Sequence, residues 1–264
     1  MSHQPTKAYK NLEFLNSPAA RPIRILCEFE ETRQRLLRHG VHNTIVFFGS
    51  ARTRSTEDAQ TLLAEARQAV GRGDDGAEAL LRRAEIASKM STYYEAAREL
   101  SARLTRWSME REGKQFVIAS GAGPGIMEAA NRGAAEVEGG QSVGLGISLP
   151  FEAGNNDYVT RDLSFEFHYF FTRKYWFLYL AKGMVCFPGG FGTMDELFET
   201  LTLVQTGKIK KNLPIVLFGA DYWSQVINTD AMAEMGTISP DDVNLVHLSD
   251  TVDDAFEYLT SRLD

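Results

Sequence analysis

The sequence predicts an α/β fold in which a mostly parallel sheet is covered by helices on both faces. Short, continuous apolar runs at residues 44–48 and 184–187 are typical of strands that are buried on both sides. Longer segments with helical periodicity separate these runs, and glycine-rich turns follow several of the runs directly. Such alternation of strand and helix favours a parallel sheet that binds ligands beyond the carboxyl ends of its strands.

The length and charge of the chain limit its organisation and its partners. At 264 residues the chain is long for one domain and short for two. We predict a single domain over residues 23–264, preceded by a polar, proline-punctuated arm over residues 1–22. The net charge of −7 argues against bulk attraction to nucleic acid or to an anionic membrane. A bound phosphate therefore has to be held by local donors.

Cysteine and histidine usage predicts a cytoplasmic protein without a metal centre. Cys27 and Cys186 are far apart in sequence, and Cys186 falls in a predicted buried strand, so we expect no disulfide framework and a reducing cytosol. The five histidines show no metal-ligand spacing with these cysteines. The polar N-terminus lacks the apolar core of a signal peptide, and no run approaches the roughly 18 apolar residues of a membrane helix.

The order of the elements follows from apolar runs and helical periodicity. Strand character is found at 44–48, 116–119, 143–149, 163–167, 184–187, 214–218 and 245–248. Helical periodicity covers 22–40, 57–70, 77–111, a segment after 125, 171–181, 194–206, 221–235 and 252–263, and residues 151–162 form a loop. The helical region at about 57–111 exceeds what one crossover requires, so we interpret it as an inserted scaffold or dimer surface rather than a substrate contact.

Two glycine-rich turns, at 121–125 and 188–193, are candidate phosphate sites. Glycines let a backbone approach an anion, and a helix N-terminus presents free N–H groups. Either turn alone also occurs as a simple tight turn, but two at neighbouring strand ends favour a site for phosphate and for sugar or base. The first turn is not a Walker loop, since no Lys-Ser/Thr pair follows. It is not a dinucleotide fingerprint either, because residues 141–149 end without an acidic residue to hold a ribose.

Two residue pairs beside the second turn each allow two interpretations. Thr193 and Glu196 fit a capping box, in which each side chain accepts a hydrogen bond from the other residue's N–H group, and they also fit a functional pair. Arg173 and Lys174 stand in an aromatic stretch. They suit contacts to a phosphate or a ribose, and they also suit a structural role as cations that lie over apolar surface.

Several segments together resemble the LOG ("lonely guy") family. Residues 188–196, Pro-Gly-Gly-Phe-Gly-Thr-Met-Asp-Glu, are similar to its PGGxGTxxE signature. Residues 120–134 are similar to its GGG-containing segment, and residues 171–174, Phe-Thr-Arg-Lys, to its Arg-Lys pair. Residues 49–52, Gly-Ser-Ala-Arg, fit its first loop. These segments lie within residues 44–206 in the family's order.

The resemblance implies a Rossmann-like, doubly wound fold and a homodimer or higher homo-oligomer. It also implies hydrolysis of the N-glycosidic bond of a nucleoside 5′-monophosphate to a free base and ribose 5-phosphate. Substrates in the family are AMP and cytokinin riboside monophosphates. Members were long labelled lysine decarboxylases, but this chain shows no pyridoxal phosphate lysine motif. The implied reaction requires no metal and no organic cofactor.

The resemblance places catalysis at Arg173 and Glu196, the matching catalytic positions. It assigns substrate binding to Ser50, Gly121, Gly123, Met127, Lys174, Gly189, Gly190, Phe191, Gly192 and Thr193. Ala122 departs from the glycine that is usual in the family, and we expect a negative φ angle there. The helical region 57–111 makes the chain resemble the longer members of the family.

A different class of function also fits these residues, namely a non-catalytic nucleotide-binding or cofactor-carrier protein on the same fold. The joint presence of Arg173 and Glu196 favours the hydrolase, because a pure carrier would not need both side chains. An NAD-dependent enzyme is disfavoured by the missing ribose carboxylate.

Overall fold

The sheet of the protein is wholly parallel within the part of the chain that the structure, a computed structural model, describes: residues 5–113, 115–149 and 154–263. Its strands are β1 (Thr44–Phe48), β2 (Val117–Ser120), β3 (Ser142–Ile147), β4 (Ser164–Phe167), β5 (Ala181–Cys186), β6 (Ile215–Phe218) and β7 (His247–Ser249). Their order is β4-β3-β2-β1-β5-β6-β7, and every neighbouring pair is parallel. The predicted α/β, doubly wound fold is confirmed.

The helices lie between the strands in the order that the sequence predicts. Those in the described residues are α1 (Leu12–Asn16), α2 (Arg21–Arg38), α3 (Thr56–Arg72), α4 (Ala77–Met109), α5 (Ile126–Ala135), α6 (Phe170–Tyr179), α7 (Phe191–Gln205), α8 (Ala220–Val226), α9 (Thr229–Glu234) and α10 (Val252–Thr260). None of them is long and apolar enough to cross a membrane. The first residues of the predicted arm, 1–4, and of the predicted loop, 151–153, lie outside the described residues, and the division into arm and domain stays a prediction.

Both faces of the sheet are buried, as the continuous apolar runs predict. Along β1, Val46 and Phe48 belong to one core cluster, while Ile45 and Phe47 belong to the other. This alternation is the period of two that a strand imposes on its side chains. The first cluster is completed by α2, α6, α7 and α8, and the second by α4, α5 and α10.

The direction of winding reverses at β1, and this places the candidate site. From β1 the chain moves outward through β2, β3 and β4, and it then returns to β5 on the other side of β1. The loops after β1, β2 and β5 therefore meet at one edge of the sheet. Open α/β sheets bind their ligands at such a switch point, beyond the carboxyl ends of the strands.

The inserted helices α3 and α4 form a hairpin that packs against α5, the helix that follows the first glycine-rich turn. The Tyr94 hydroxyl donates a 2.6 Å hydrogen bond to Glu128, and the Ser101 hydroxyl donates to the Ala130 carbonyl. Gly133 lies so close to the Arg98 carbonyl that a side chain there would collide with it. This hairpin thus supports the crossover helix, and its interpretation as an inserted scaffold or dimer surface stays a prediction.

One predicted helix is in fact two. The sequence predicts a continuous helix at 221–235, but α8 ends at Val226 and α9 begins at Thr229. The break has a local cause, because the Asn228 side chain caps α9 by accepting a 2.9 Å hydrogen bond from the Ala231 N–H group.

Candidate active site

The second glycine-rich turn leads directly into α7 and leaves the N-terminus of that helix uncapped by a side chain. The helix begins at Phe191, with Gly190 as its N-cap residue. Thr193 therefore lies inside the first turn, and its hydroxyl packs against the Cα of Gly189. The capping-box interpretation of Thr193 and Glu196 is wrong, because the helix starts three residues earlier than that motif requires.

The uncapped N-terminus of α7 faces a cavity of about 550 Å³. The first N–H groups of an α-helix have no partner inside the helix, and they carry the positive end of its dipole. Gly190 and Gly192 border the cavity, and a Cβ atom at either position would meet no atom within 4 Å. The backbone is therefore open to an anion at this end of the cavity.

Glu196 lies one turn further along α7 and faces the same cavity. Its side chain is only 5% exposed. Burial raises the pKa of this carboxyl group to about 7, although the charges of Lys174 and Arg173 oppose the shift. Its Oε2 atom makes no hydrogen bond with the residues that the structure describes. A carboxyl group of this kind, buried beside a cavity and titrating near neutrality, is typical of functional sites.

Arg173 projects from α6 toward the carboxyl group of Glu196. Its Nη2 atom lies 3.9 Å from Glu196 Oε1. The guanidinium also lies between two rings, with Cζ 5.3 Å from the centroid of Phe170 and 5.5 Å from that of Phe177. The aromatic residues of this stretch thus orient the Arg173 guanidinium. Arg173 and Glu196, the predicted pair, both lie at one cavity.

The N-terminus of α6 is held by a carboxylate from α2. Glu28 accepts a 2.8 Å hydrogen bond from the His168 N–H group and a short hydrogen bond from the Thr172 hydroxyl. Thr172 is fully buried. The helix that carries Arg173 is thereby anchored to a residue in a segment that the sequence did not connect with the site.

Lys174 does not line the cavity, and its role in substrate binding stays a prediction. Its ammonium group lies 2.9 Å from Asp195 and 2.7 Å from Glu199, both on α7. Burial alone would lower the pKa of this amine, but the hydrogen bonds with the two carboxylates raise it. Lys174 therefore ties α6 to α7 and fixes the helices that carry Arg173 and Glu196.

The first glycine-rich turn, between β2 and α5, has its glycines for reasons of packing. The Met127 side chain lies across it, with Sδ 2.7 Å from a Cβ built on Gly121 and Cε 2.8 Å from one built on Gly123. Gly125 has a φ of +73° and abuts the backbone carbonyl of Ser50. Gly121, Gly123 and Met127 all border the cavity.

Ala122 adopts a positive φ of 61°, so the expectation of a negative angle is wrong. The conformation turns the Ala122 carbonyl toward Asn156, which donates to it from its backbone N at 2.7 Å and from Nδ2 at 2.9 Å. Asn156 Nδ2 also donates to the Gly123 carbonyl at 3.0 Å. These bonds offset the strain of a left-handed alanine, which is of the order of 1 kcal/mol.

The loop after β1 joins the two glycine-rich turns. The Ser50 N–H group donates to the Pro188 carbonyl at 3.0 Å, and the Ser50 carbonyl accepts from the Ile126 N–H group at 3.2 Å. Ser50 and Arg52 both line the cavity. Arg52 is a cation beside the site that the sequence interpretation did not single out, although it belongs to the predicted first loop.

The cavity brings together most of the predicted residues and adds several that the sequence did not identify. Of the predicted set, only Lys174 and Gly189 do not border it. The unpredicted lining residues are Phe48, Gly49, Ala51, Arg52, Ile147, Leu149, Phe170 and Phe177. Most of these are apolar and lie at the ends of buried strands or on α6, where the sequence pattern indicates only core.

No group of His, Cys, Asp or Glu side chains suited to a metal ion occurs within the described ranges. The cavity thus offers an anion-binding helix end, a buried carboxyl group and an arginine, surrounded by apolar side chains. Such groups are suited to an anion and to a bond next to it.

Comparison with known proteins identifies one matching family. The profile of the family described as "Possible lysine decarboxylase" matches residues 127–259, just over half of the chain. Comparison with curated proteins gives no significant match. Among solved structures, the chain is similar to the molybdenum cofactor binding protein from the phototrophic bacterium Rippkaea orientalis. The identity is 21% and the TM-score 0.43, and the similarity covers 64% of this chain and 87% of that chain.

The matched region contains Arg173, Glu196 and the turn that leads into α7. On this match the chain belongs to the LOG family, whose profile carries the description "Possible lysine decarboxylase".

Proposed function

We propose that this protein hydrolyses the N-glycosidic bond of a purine nucleoside 5′-monophosphate, AMP or a cytokinin riboside monophosphate, to a free base and ribose 5-phosphate. The observation that carries the proposal is the buried carboxyl group of Glu196. It faces the same cavity as the uncapped N-terminus of α7 and lies 3.9 Å from Arg173. A phosphate site next to a carboxyl group suits a phosphorylated substrate with a bond that a carboxylate can help to cleave.

The first turn of α7 binds the 5′-phosphate in this proposal. The N–H groups of residues 191–193 and the Thr193 hydroxyl supply donors, and Arg52 at the opposite loop supplies a further cation. Binding at this end brings the ribose toward Glu196, which lies one helical turn from Gly192. The apolar lining beyond it, including Ile147 and Leu149, is left for the base.

The chemistry follows from the position of the two charged groups. The bond between ribose C1′ and the base nitrogen breaks, and its electron pair leaves with the base, which takes up a proton. A water oxygen bonds to C1′ and loses a proton. The Glu196 carboxylate stabilises the positive charge that develops on the ribose or accepts the proton of the attacking water. Arg173 positions the ribose or the phosphate and offsets negative charge.

The experiment is to incubate the protein with AMP and with isopentenyladenosine monophosphate and to quantify free base and ribose 5-phosphate by chromatography. Adenosine, which lacks the phosphate, is the matched control and should be a much poorer substrate. Release of base from at least one nucleotide is the expected result. Nucleotide binding without any release of base would reject the hydrolase and favour the non-catalytic nucleotide-binding alternative.

The proposal includes a homodimer, because the helices that carry Arg173 and Glu196 expose aromatic side chains. The Phe191 side chain is 96% exposed, and Phe171 and Tyr179 on α6 are also exposed. Exposed apolar surface of this extent is typical of protein contacts, and a second copy of the chain is the partner we propose. Light scattering after size-exclusion chromatography should give twice the monomer mass of 29.5 kDa, and a Phe191→Ser variant should shift the protein toward monomer.

A further inference from the structure

A small annex of about 80 Å³ adjoins the main cavity at the carboxyl ends of β3 and β4. The two spaces share Gly121, Gly123, Ile147 and Leu149 as lining residues. Gly121 and Gly123 contribute no side chain at this boundary, and the Met127 side chain lies across them. The annex lies on the opposite side of β1 from the α7 N-terminus, since β3 and β5 are on either side of the switch point.

Among the described residues, the polar side chains of the annex present hydrogen-bond acceptors and have already used their donors. The Ser148 hydroxyl donates to Glu166 Oε1 at 2.6 Å, which leaves only its lone pairs. Asn155 Nδ2 donates to Ser164 Oγ at 2.7 Å and to the Phe165 carbonyl at 3.0 Å. The carbonyl can only accept, so it fixes the orientation of the Asn155 amide and leaves Oδ1 as an acceptor. Glu166 is itself an acceptor when ionised.

The sheet holds these acceptors in place. Gly146 and Glu166 are register partners on β3 and β4, and the Ser148 N–H group donates to the Phe167 carbonyl at 2.9 Å. The missing side chain of Gly146 makes room for Asn155 Oδ1, which a Cβ atom there would displace. The acceptor set is therefore built on paired strands and does not depend on the placement of a loop alone.

We propose that the annex receives the exocyclic amine of the base, so that Glu166, Ser148 and Asn155 select a 6-aminopurine nucleotide over a 6-oxopurine nucleotide. This inference rests on the proposed function, since it places the base at this end of the cavity. The helix N-terminus at β5 attracts the phosphate, and the Glu166 carboxylate repels it, so the two ends orient the nucleotide in one direction. The three strand spacings from β3 to β5 span about 14 Å, a distance comparable to an extended nucleoside monophosphate.

The same acceptors predict how substituted bases are treated. An amine that carries an alkyl tail keeps only one N–H group, and the small polar annex does not suit an apolar tail. A 6-oxo group turns a lone pair toward the Glu166 carboxylate, and the described side chains of the annex have no spare donor for it. We therefore expect AMP to bind more tightly than either IMP or isopentenyladenosine monophosphate.

The test is equilibrium binding of AMP and IMP, measured by titration calorimetry in a Glu196→Gln background so that the nucleotide is not consumed. AMP should bind at least about tenfold more tightly than IMP, the factor expected for one hydrogen bond to a charged group. Adding Glu166→Gln should remove most of that preference. Adding Glu138→Gln, a substitution of another exposed glutamate that does not line the annex, should leave it unchanged.

Three results would overturn the inference: equal binding of AMP and IMP, an AMP preference that survives Glu166→Gln, or binding of neither nucleotide. The unsubstituted protein is assayed separately for base release. Loss of the binding preference with turnover intact rejects the annex alone, whereas a preserved preference without turnover rejects only the proposed hydrolysis.

Discussion

The two glycine-rich turns are alike in sequence, but their glycines have different roles in the structure. In the turn after β2, Gly121 and Gly123 accommodate the Met127 side chain. In the turn after β5, Gly190 and Gly192 border open space at an uncapped helix end. The first turn is a packed wall of the cavity, and the second is the surface where an anion can reach backbone N–H groups. A glycine-rich turn thus identifies a phosphate site only when its glycines face space instead of a neighbour.

The largest expected effect comes from a glycine of the packed turn. Gly125→Ala should lower the free energy of unfolding by about 2–5 kcal/mol, because it combines backbone strain with a collision against the Ser50 carbonyl. Gly76→Ala is the matched control, since Gly76 also has a φ of +73° but no atom within 4 Å of a built Cβ. Urea unfolding of both variants measures the difference. Equal losses would show that packing is not what requires glycine at 125.

The helix after the open turn carries a buried carboxyl group, and this predicts a pH-dependent stability. The folded-state pKa of Glu196, about 7, lies above the ordinary value of 4.5, so the folded state binds the proton more tightly than the unfolded state. This contribution to stability is complete below pH 4.5 and is lost as the pH rises through 7. The new side chain in Glu196→Gln does not titrate, so the variant does not lose this contribution. As the pH rises from 5 to 8.5, its free energy of unfolding should therefore increase relative to that of the parent by about 3 kcal/mol.

The measurement is the difference in unfolding free energy between parent and variant across that pH range. Glu128→Gln, on the helix after the packed turn, serves as the control for the substitution itself. A difference between parent and Glu196→Gln that stays constant with pH would contradict the raised pKa.

A methyl group added to the turn before α7 should leave the stability of the protein intact but weaken nucleotide binding. Gly192→Ala should keep or raise stability, because alanine favours a helix by about 1 kcal/mol and its Cβ meets no atom within 4 Å. AMP affinity should fall about tenfold, the loss expected when one backbone hydrogen bond to a charged phosphate is blocked. Gly71→Ala, in α3 and away from the cavity, is the control that gains helix propensity without affecting affinity. Unchanged affinity in Gly192→Ala would place the phosphate elsewhere.

The smallest expected effect concerns Lys174, which ties α6 to α7. Lys174→Met removes a charge that lowers the pKa of Glu196 and leaves Asp195 and Glu199 unpaired, so the pKa of Glu196 should rise further. If activity needs the carboxylate, the acidic limb of the kcat/KM profile should move to higher pH, by up to about 1 unit for loss of one partly exposed charge. Lys208→Met, at an exposed position, should leave the profile in place. If the profile is unchanged in Lys174→Met, the ion pairs of Lys174 do not affect the pKa of Glu196.

Apolar runs and periodicity were sufficient to predict the strands, their parallel arrangement and the edge at which the three loops meet. They predicted these features because burial on both faces and the winding rules act on the chain as a whole. The pairing of Arg173 with Glu196 at one cavity followed from the resemblance to a family. The separate roles of the two turns could not be predicted, because they depend on where the Met127 and Thr193 side chains lie.

The wrong predictions have the same origin in tertiary contacts. The Ala122 backbone is set by hydrogen bonds from Asn156, which lies 34 residues further along the chain. The capping box failed because the helix begins at Phe191, a boundary that local sequence places only within a few residues. Glu166, Ser148 and Asn155 carry no motif, and only the donor and acceptor pattern of the folded strands singles them out.

The most direct test of the central claim compares one glutamate from the helix after each turn. Steady-state kcat/KM for release of adenine from AMP is measured in Glu196→Gln and in Glu128→Gln. We predict a loss of at least about 100-fold in Glu196→Gln, as expected when a carboxylate acting on the glycosidic bond is removed, and near-parent activity in Glu128→Gln. Full activity in Glu196→Gln, or equal losses in both variants, would contradict the assignment of the chemistry to the open turn and its helix.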